Sequence, residues 1–140
     1  MSHIFEFLFG QYAEYETFHI ILEIVAVFQK GLYGGTSHFL DREFKRFGID
    51  YSIAESQHAE DIAACLQENT KLVYIETPSN PLLSITDIKA VAELASQAGV
   101  ISVIDNTFAS PVNQQPALLG VDIVVHSATK YMGGHSDILA

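Results

Sequence analysis

The sequence predicts an α/β fold, a three-layer αβα arrangement in which a mainly parallel sheet lies between helices. Short apolar runs at 71–76, 100–104 and 121–126 have the length of strands and are too short for most helices. Helical or polar segments separate them, and strands that are apolar on both faces are typical of a buried parallel sheet. Because right-handed crossovers bring the carboxyl ends of parallel strands to one edge, we expect a ligand site there.

Composition limits the classes of function. The 140 residues are 49% hydrophobic, which supports one folded domain. The 17 acidic and 7 basic residues give a net charge of −10, which opposes binding to nucleic acid or to anionic membranes. Cys65, the single cysteine, excludes an internal disulfide and lacks neighbours at metal-ligand spacing. We therefore expect no metal site and a reducing, cytoplasmic location.

Residues 1–31 form an atypical N-terminal segment. The apolar run 20–28 is either a buried strand or the apolar side of a helix, and its periodicity does not distinguish the two. No basic region or small-residue cleavage site accompanies its apolar stretches, so we expect neither a signal peptide nor a membrane span. Acidic residues also interrupt those stretches, namely Glu6, Glu14, Glu16 and Glu23.

The next part of the chain predicts a glycine-rich turn, a helix, a strand and a second helix. Three glycines surround Tyr33 within 31–36, where the backbone can turn sharply or approach a ligand. From Ser37 onward, apolar residues recur at helical spacing until Gly48, which predicts an amphipathic helix. A short strand over 49–53 and a helix over about 59–67 follow.

Polar side chains follow three successive predicted strands. The proline-bearing loop 77–81 holds Asn80 after the strand 71–76. A helix over about 86–98, stopped by Gly99, leads to the strand 100–104, which Asp105 follows directly. The last strand, 121–126, is followed by three further polar residues, Ser127, Thr129 and Lys130.

Taken singly, each of these residues has an ordinary structural explanation, since lysines after strands are usually solvated and aspartates there often form turns. Together they match the needs of pyridoxal 5′-phosphate (PLP), which requires an amine, an acid for its ring nitrogen and donors for its phosphate. Lys130 would supply the amine if its ammonium is partly desolvated, and Asp105 the acid. Ser127 and Thr129 would donate to the phosphate, and Tyr33 would stack on the ring.

Four segments carry a family resemblance: LYGGT at 32–36, ETPSNP at 76–81, VIDNTFASP at 103–111 and HSATKYMGGHSD at 126–137. In these the chain resembles the PLP-dependent transsulfuration enzymes of cysteine and methionine metabolism, such as cystathionine γ-synthase, cystathionine γ-lyase and methionine γ-lyase. The resemblance implies the large domain of the aspartate-aminotransferase-like (fold type I) PLP enzymes, incomplete here. Residues 32–140 would be its central part, and the C-terminal domain would be absent.

The resemblance also implies roles for individual residues. Lys130 matches the lysine that forms the Schiff base and moves protons, and Asp105 matches the partner of the ring nitrogen. Tyr33 matches a stacking tyrosine that also takes part in proton transfer. Asn80 matches a residue near the ring oxygen. Two hydroxyl residues match phosphate ligands, Ser127 and Thr129.

For function, the resemblance implies a small-molecule amino-acid substrate and a homo-oligomer. The reaction would be γ-replacement or γ/β-elimination on a sulfur-containing amino acid or a homoserine ester. Residues 1–30 do not match the family's phosphate-binding turn, and the family's substrate-binding arginine belongs to the C-terminal domain. Three alternatives therefore remain open: an active enzyme, a truncated relative that only binds PLP, and a non-catalytic interaction module.

Overall fold

The structure is a computed structural model that describes residues 25–140; the predictions made for residues 1–24 lie outside this range. Within the described part, the strands are β1 (Val25–Phe28), β2 (Asp50–Ile53), β3 (Thr70–Glu76), β4 (Ile101–Asp105) and β5 (Ile123–Val125). The helical segments are α1 (Gly34–Phe39), a π-helical segment (Leu40–Phe44), α2 (Lys45–Phe47), α3 (Ala59–Ala64), α4 (Ile88–Ala98), α5 (Ser110–Asn113), a 3₁₀ turn (Pro116–Leu119) and a π-type turn (Ala128–Met132). Over residues 25–140, none of the helices has the length and apolar character needed to cross a membrane.

The sheet has the order β2-β1-β3-β4-β5, and every adjacent pair is parallel. The predicted parallel sheet is therefore confirmed. β1 pairs with both β2 and β3, so the apolar run of undecided type is a strand over Val25–Phe28. The sheet thus begins within the N-terminal segment that the sequence sets apart.

Helices cover both faces of the sheet. On one face, side chains of α3 and α4 pack on alternate strand residues such as Val27, Val73 and Ile104. On the other face, Leu40 and Phe44 of the π-helical segment pack against the intervening strand residues. Burying each of these two side chains stabilises the fold by about 1.5–3 kcal/mol. The three-layer arrangement follows from this two-sided burial.

The helix after β1 begins earlier than the sequence predicts. The backbone N–H groups of Thr36 and Ser37 donate to the Tyr33 carbonyl at 2.9 and 3.1 Å, and these bonds already form the first turn. Gly34 and Gly35 therefore belong to α1, not to a separate turn. The predicted stop at Gly48 is confirmed: its φ of 65° is a left-handed conformation that glycine adopts without steric cost.

α4 matches its prediction closely. Ile88, Val91 and Ala95 are buried on one face, and the Asp87 carboxylate caps the helix by accepting the Ala90 N–H at 3.0 Å. α3 ends at Ala64, three residues before the predicted end. The reason is a turn towards β3, in which the Thr70 hydroxyl accepts the Gln67 N–H at 2.8 Å. β5 is likewise shorter than the predicted strand.

Candidate active site

The predicted site residues lie along the carboxyl edge of the sheet. Each follows or ends a strand, and the strands are all parallel, so the fold brings them to the same side of the domain. Asp105 is the last residue of β4, not the residue after it. The others follow β1 (Tyr33), β3 (Asn80) and β5 (Ser127, Thr129 and Lys130).

Asp105 is the buried acid of this edge. Its exposed fraction is 9%, and its Oδ1 accepts the Thr107 N–H at 2.8 Å. In the parallel ladder it is the direct partner of Glu76, the last residue of β3. Two carboxyl groups therefore lie side by side on one face of the sheet, at the ends of neighbouring strands.

Glu76 has a role that the sequence did not indicate beyond its place in the ETPSNP segment. Its Oε2 accepts the Tyr33 N–H and its Oε1 accepts the Asn80 N–H, each at 2.9 Å. Burial raises the pKa of Glu76, and the neighbouring Asp105 charge adds to that rise. An acid that ends a buried strand in register with another acid is the signal that could have indicated it.

Tyr74 is a second contributor that sequence reasoning missed. Burial raises its pKa well above the ordinary value, and the charge of Asp105 adds to the rise. The phenol therefore stays protonated on the face of the sheet that carries Asp105. Its ring packs against Phe28 with the ring centroids 5.4 Å apart.

A buried polar network ties the end of β1 to the loop after β3. Gln29 is completely buried, and its Nε2 donates to the Glu76 carbonyl at 2.5 Å. Its Oε1 accepts the Thr86 hydroxyl at 2.8 Å, while the Thr86 N–H donates to the Thr77 hydroxyl at 3.0 Å. These bonds hold both ends of the loop 77–86 against the sheet.

The same network continues into the loop after β4. Asn106, also completely buried, donates through Nδ2 to the carbonyls of Gln114 at 2.9 Å and Ser110 at 3.3 Å. Gln114 Nε2 donates to Asn106 Oδ1 at 2.7 Å and to the Thr77 carbonyl at 2.8 Å. Over residues 25–140, no buried side-chain nitrogen or oxygen lacks a hydrogen-bond partner. Satisfied networks of this kind hold loops in one conformation.

Lys130 lies in a more open setting. The Ser127 N–H donates to the Thr107 hydroxyl at 2.7 Å, which joins the Lys130 turn to the loop after β4. Within the π-type turn, Lys130 departs from helical geometry, with φ −89° and ψ −122°. Its side chain is exposed, so the described residues do not provide the desolvation on which the sequence-based argument for its activation depends.

The two predicted phosphate ligands converge on one acceptor. Ser127 Oγ, Thr129 Oγ1 and the Thr129 N–H all donate to an oxygen of Ala140, the last residue of the sequence, at 3.3, 3.1 and 3.1 Å, and the Thr129 hydroxyl accepts the Ala140 N–H at 2.9 Å. Three donors aimed at one oxygen are the arrangement that a phosphate oxygen requires. The donor set present therefore fits the phosphate end of PLP, and Asp105 fits its ring nitrogen.

Tyr33 is 44% exposed, and its ring lies close over Gly35. A Cβ atom added at Gly35 would lie 2.8 Å from the Tyr33 Cε1 atom, whereas one at Gly34 would meet nothing within 4 Å. Glycine at position 35 is therefore required for the present position of the ring. Tyr33 as a whole remains partly exposed to solvent.

Residues 17–140 match the family of Cys/Met metabolism PLP-dependent enzymes. The chain belongs to this family. It is 48% identical over 108 residues to cystathionine γ-lyase from Bacillus subtilis and 47% identical over 112 residues to L-methionine γ-lyase from Porphyromonas gingivalis. These alignments cover 77% and 79% of the chain and 28% of each relative. The family is PLP-dependent, and its named members include lyases and a synthase.

Solved structures agree with this assignment. MetB from Corynebacterium glutamicum superposes with a TM-score of 0.80 at 46% identity, over 87% of this chain and 32% of its own. Cystathionine γ-lyase from Lactobacillus plantarum, solved with L-serine, gives 0.81 at 45% identity, over 84% of this chain and 31% of its own. The predicted fold class is therefore confirmed, and the chain spans about a third or less of the relatives it matches.

Proposed function

We propose that residues 32–140 are the central part of a PLP-binding large domain, and that the protein acts in transsulfuration. The observation that carries the proposal is the position of the buried Asp105 at the carboxyl edge of the parallel sheet, with Asn80 and Lys130 following neighbouring strands at the same edge. The hydroxyl groups of Ser127 and Thr129, which can bind an anion, follow β5 at this edge. An anion site and an acid at one edge are what the phosphate and the ring nitrogen of PLP need.

PLP, when bound, supplies an electron sink that stabilises negative charge on the substrate carbon next to the amine. Lys130 would hold it covalently through Nζ, and a free Lys130 Nζ would carry protons between substrate carbons. Asp105 would keep a proton on the ring nitrogen. The Thr107 N–H, which donates to Asp105 Oδ1 at 2.8 Å, holds that carboxylate in place.

The remaining site residues orient the cofactor. Tyr33 stacks on the ring face, an offset contact that adds about 0.5–1.5 kcal/mol beyond burial. Asn80, in the loop after β3, would contact the ring oxygen. The hydroxyls of Ser127 and Thr129 bind the phosphate, and each such hydrogen bond to a charged group contributes roughly 1.5–3 kcal/mol.

We propose a sulfur-containing amino acid or a homoserine ester as substrate, with γ-replacement or γ/β-elimination as the reaction. Relatives named cystathionine γ-lyase, cystathionine β-lyase, cystathionine γ-synthase and methionine γ-lyase support this substrate class. We also propose a cytoplasmic location, which the lone Cys65 favours.

Covalent labelling tests the cofactor assignment. The chain is mixed with PLP, reduced with borohydride and digested, and the labelled peptide is identified by mass. We expect the label on Lys130 and its loss in Lys130→Ala. Lys89, an exposed lysine of α4, provides the matched control, and Lys89→Ala should keep the label. Equal labelling of Lys89 and Lys130, or no label at all, would contradict the assignment.

Turnover is a separate test. We expect release of an α-keto acid and a thiol from homocysteine, methionine or cystathionine, with loss of both products in Lys130→Ala. Labelling without turnover would instead favour the truncated relative that only binds PLP. Activity that survives Lys130→Ala would place the chemistry elsewhere.

We further propose that the chain self-associates. Large apolar side chains lie exposed at the carboxyl edge, which favours contact with another protein surface. Sedimentation equilibrium should show a dimer or larger species, and a monodisperse monomer would contradict this. The exposed side chains are Leu82, Leu83, Ile85, Phe108 and Val112.

A further inference from the structure

We infer that Glu76 is a positioning residue of the site: its carboxylate binds the backbones of Tyr33 and Asn80 and so sets the relative position of these two cofactor contacts. The inference rests on the proposed function, in which Tyr33 and Asn80 contact PLP. Each carboxylate oxygen accepts one backbone N–H at 2.9 Å. One side chain thus joins the loop after β3 to a segment that lies 43 residues before Glu76 in the sequence.

A side chain is needed because the sheet no longer connects the two segments. The register between β1 and β3 ends with Phe28 opposite Tyr74, and Tyr33 lies five residues further along the chain. Beyond that pair, the Gln29 N–H still donates to the Tyr74 carbonyl at 3.2 Å. After Gln29, the hydrogen bond from the Tyr33 N–H to the Glu76 carboxylate connects the two segments in place of the β1–β3 backbone hydrogen bonds.

Glu76 is itself firmly placed. It ends the seven-residue strand β3, its carbonyl accepts the buried Gln29 side chain, and its exposed fraction is 4%. A carboxylate with a fixed backbone and both oxygens bonded has little freedom of its own. The positions of Tyr33 and Asn80 are therefore determined by the sheet, although both lie in loops.

Stability alone does not explain a carboxyl group here. Glu76 is buried beside Asp105, its partner in the ladder, and two neighbouring acids disfavour each other's ionisation. Burial raises the pKa of Glu76, and the charge of Asp105 adds to that rise. An apolar residue would avoid this interaction between acids but would leave the Tyr33 and Asn80 N–H groups without an acceptor. The acid suits a position whose task is to bind two donors.

Amide hydrogen exchange measured by NMR tests the inference without any cofactor. In Glu76→Ala, exchange at Tyr33 and Asn80 should accelerate by about tenfold or more, because both N–H groups lose their acceptor. In Glu76→Gln, one of the two should accelerate, because the amide NH₂ cannot accept. If both amides in Glu76→Gln exchanged at the wild-type rate, the proposed role of the Glu76 carboxylate as their acceptor would be wrong. Glu76→Gln can be used for this test even if Glu76→Ala does not fold.

Asp122→Asn is the matched control. Asp122 also accepts two hydrogen bonds, from the N–H and hydroxyl of Ser102 at 2.8 and 2.6 Å, but it lies before β5 at the opposite edge of the sheet. This variant should leave exchange at Tyr33 and Asn80 unchanged. Acceleration there equal to that in Glu76→Gln would mean that general destabilisation causes both effects.

PLP titration then separates positioning from support of the fold. The visible circular dichroism of bound PLP reports how the ring is held; it should change in Glu76→Gln and remain unchanged in Asp122→Asn. The affinity should weaken by about tenfold in Glu76→Gln alone. Faster amide exchange with an unchanged spectrum and affinity would overturn the positioning role. If the wild-type chain did not bind PLP, the proposed function would be wrong. The amide exchange rates would still test whether Glu76 accepts the Tyr33 and Asn80 N–H groups.

Discussion

The two halves of the candidate site are built differently. The cross-linked loops, residues 77–86 and 106–114, are joined to each other and to the sheet by buried side chains whose polar atoms are all paired. The Lys130 segment, residues 127–140, is largely exposed, and its donors bind an oxygen of Ala140. Buried side-chain hydrogen bonds thus hold the loops beside Asp105 in place, whereas the segment that carries Lys130 is exposed to solvent.

The strongest test of this contrast changes Asn106. Asn106→Ala removes two donated bonds and one accepted bond from a buried position, and we expect the free energy of unfolding to fall by about 2–4 kcal/mol. Urea unfolding measures it. Asn113→Ala is the control, because its exposed side chain donates a single bond to Ala109, and it should change stability by about 0.5 kcal/mol or less. If both variants lost the same free energy of unfolding, the buried hydrogen bonds of Asn106 would not be what holds these loops in place.

In the Lys130 segment we expect a substitution to affect PLP affinity much more than stability. Thr129→Val removes a hydroxyl that bonds only to the exposed Ala140, so stability should change by about 0.5 kcal/mol or less. PLP affinity should weaken by about tenfold to a hundredfold, because a hydrogen bond to the phosphate is lost. Fluorescence titration measures the affinity. An unchanged affinity would argue against the phosphate role of Thr129.

Substitution of Gly35 tests the proposed contact between the Tyr33 ring and PLP. Gly35→Ala forces the Tyr33 ring to move, since the added Cβ would lie 2.8 Å from Cε1. The stacking contact weakens, and we expect PLP affinity to fall by about twofold to tenfold. In Gly34→Ala the added atom meets nothing within 4 Å, so affinity should stay near wild type. If both variants bind alike, the Tyr33 ring does not contact the cofactor.

The smallest of the expected effects is the change in the free energy of unfolding with pH that Glu76 causes. The pKa of Glu76 is raised above its ordinary value of 4.5, so the folded state holds a proton that the unfolded state has lost. Stability should therefore fall as pH rises from 4.5 through the raised pKa. Glu76→Gln should flatten this decline in urea unfolding followed from about pH 4 to pH 7.

Asp122 provides the opposite sign for comparison. Its pKa is lowered from 3.8 by hydrogen bonds from Ser102, so its contribution to stability is lost as pH falls below 3.8. Asp122→Asn should change only this acid side of the profile. If Asp122→Asn abolished the fall in the free energy of unfolding above pH 4.5, that fall could not be assigned to Glu76.

Much of the fold could be predicted because local patterns and packing agree. α4 illustrates this: its apolar spacing, Asp87 cap and Gly99 stop are all visible in the sequence. The run 20–28 could not be assigned, since a short strand buried on both faces has no periodicity. Over Val25–Phe28 its strand character depends on pairing with two distant strands, which only the folded structure shows.

The candidate site was predictable to the extent that its residues follow strands. Parallel strands bring their ends together, so the sequence could place Asp105, Asn80 and Lys130 at one edge. It could not show the roles of Glu76 and Tyr74, because those depend on register and on side-chain direction across the sheet. Activation of the Lys130 amine required its ammonium to be partly desolvated, whereas among the described residues Lys130 is exposed.

Hydrogen exchange of the wild-type chain with and without PLP tests the central claim most directly. If the cross-linked loops are already fixed and the Lys130 segment binds the phosphate, PLP should slow exchange by about tenfold at Thr129 and its neighbours. Exchange at Asn106 and Thr86 should not change. Unchanged exchange over 127–132, or slowing confined to the cross-linked loops, would contradict the account.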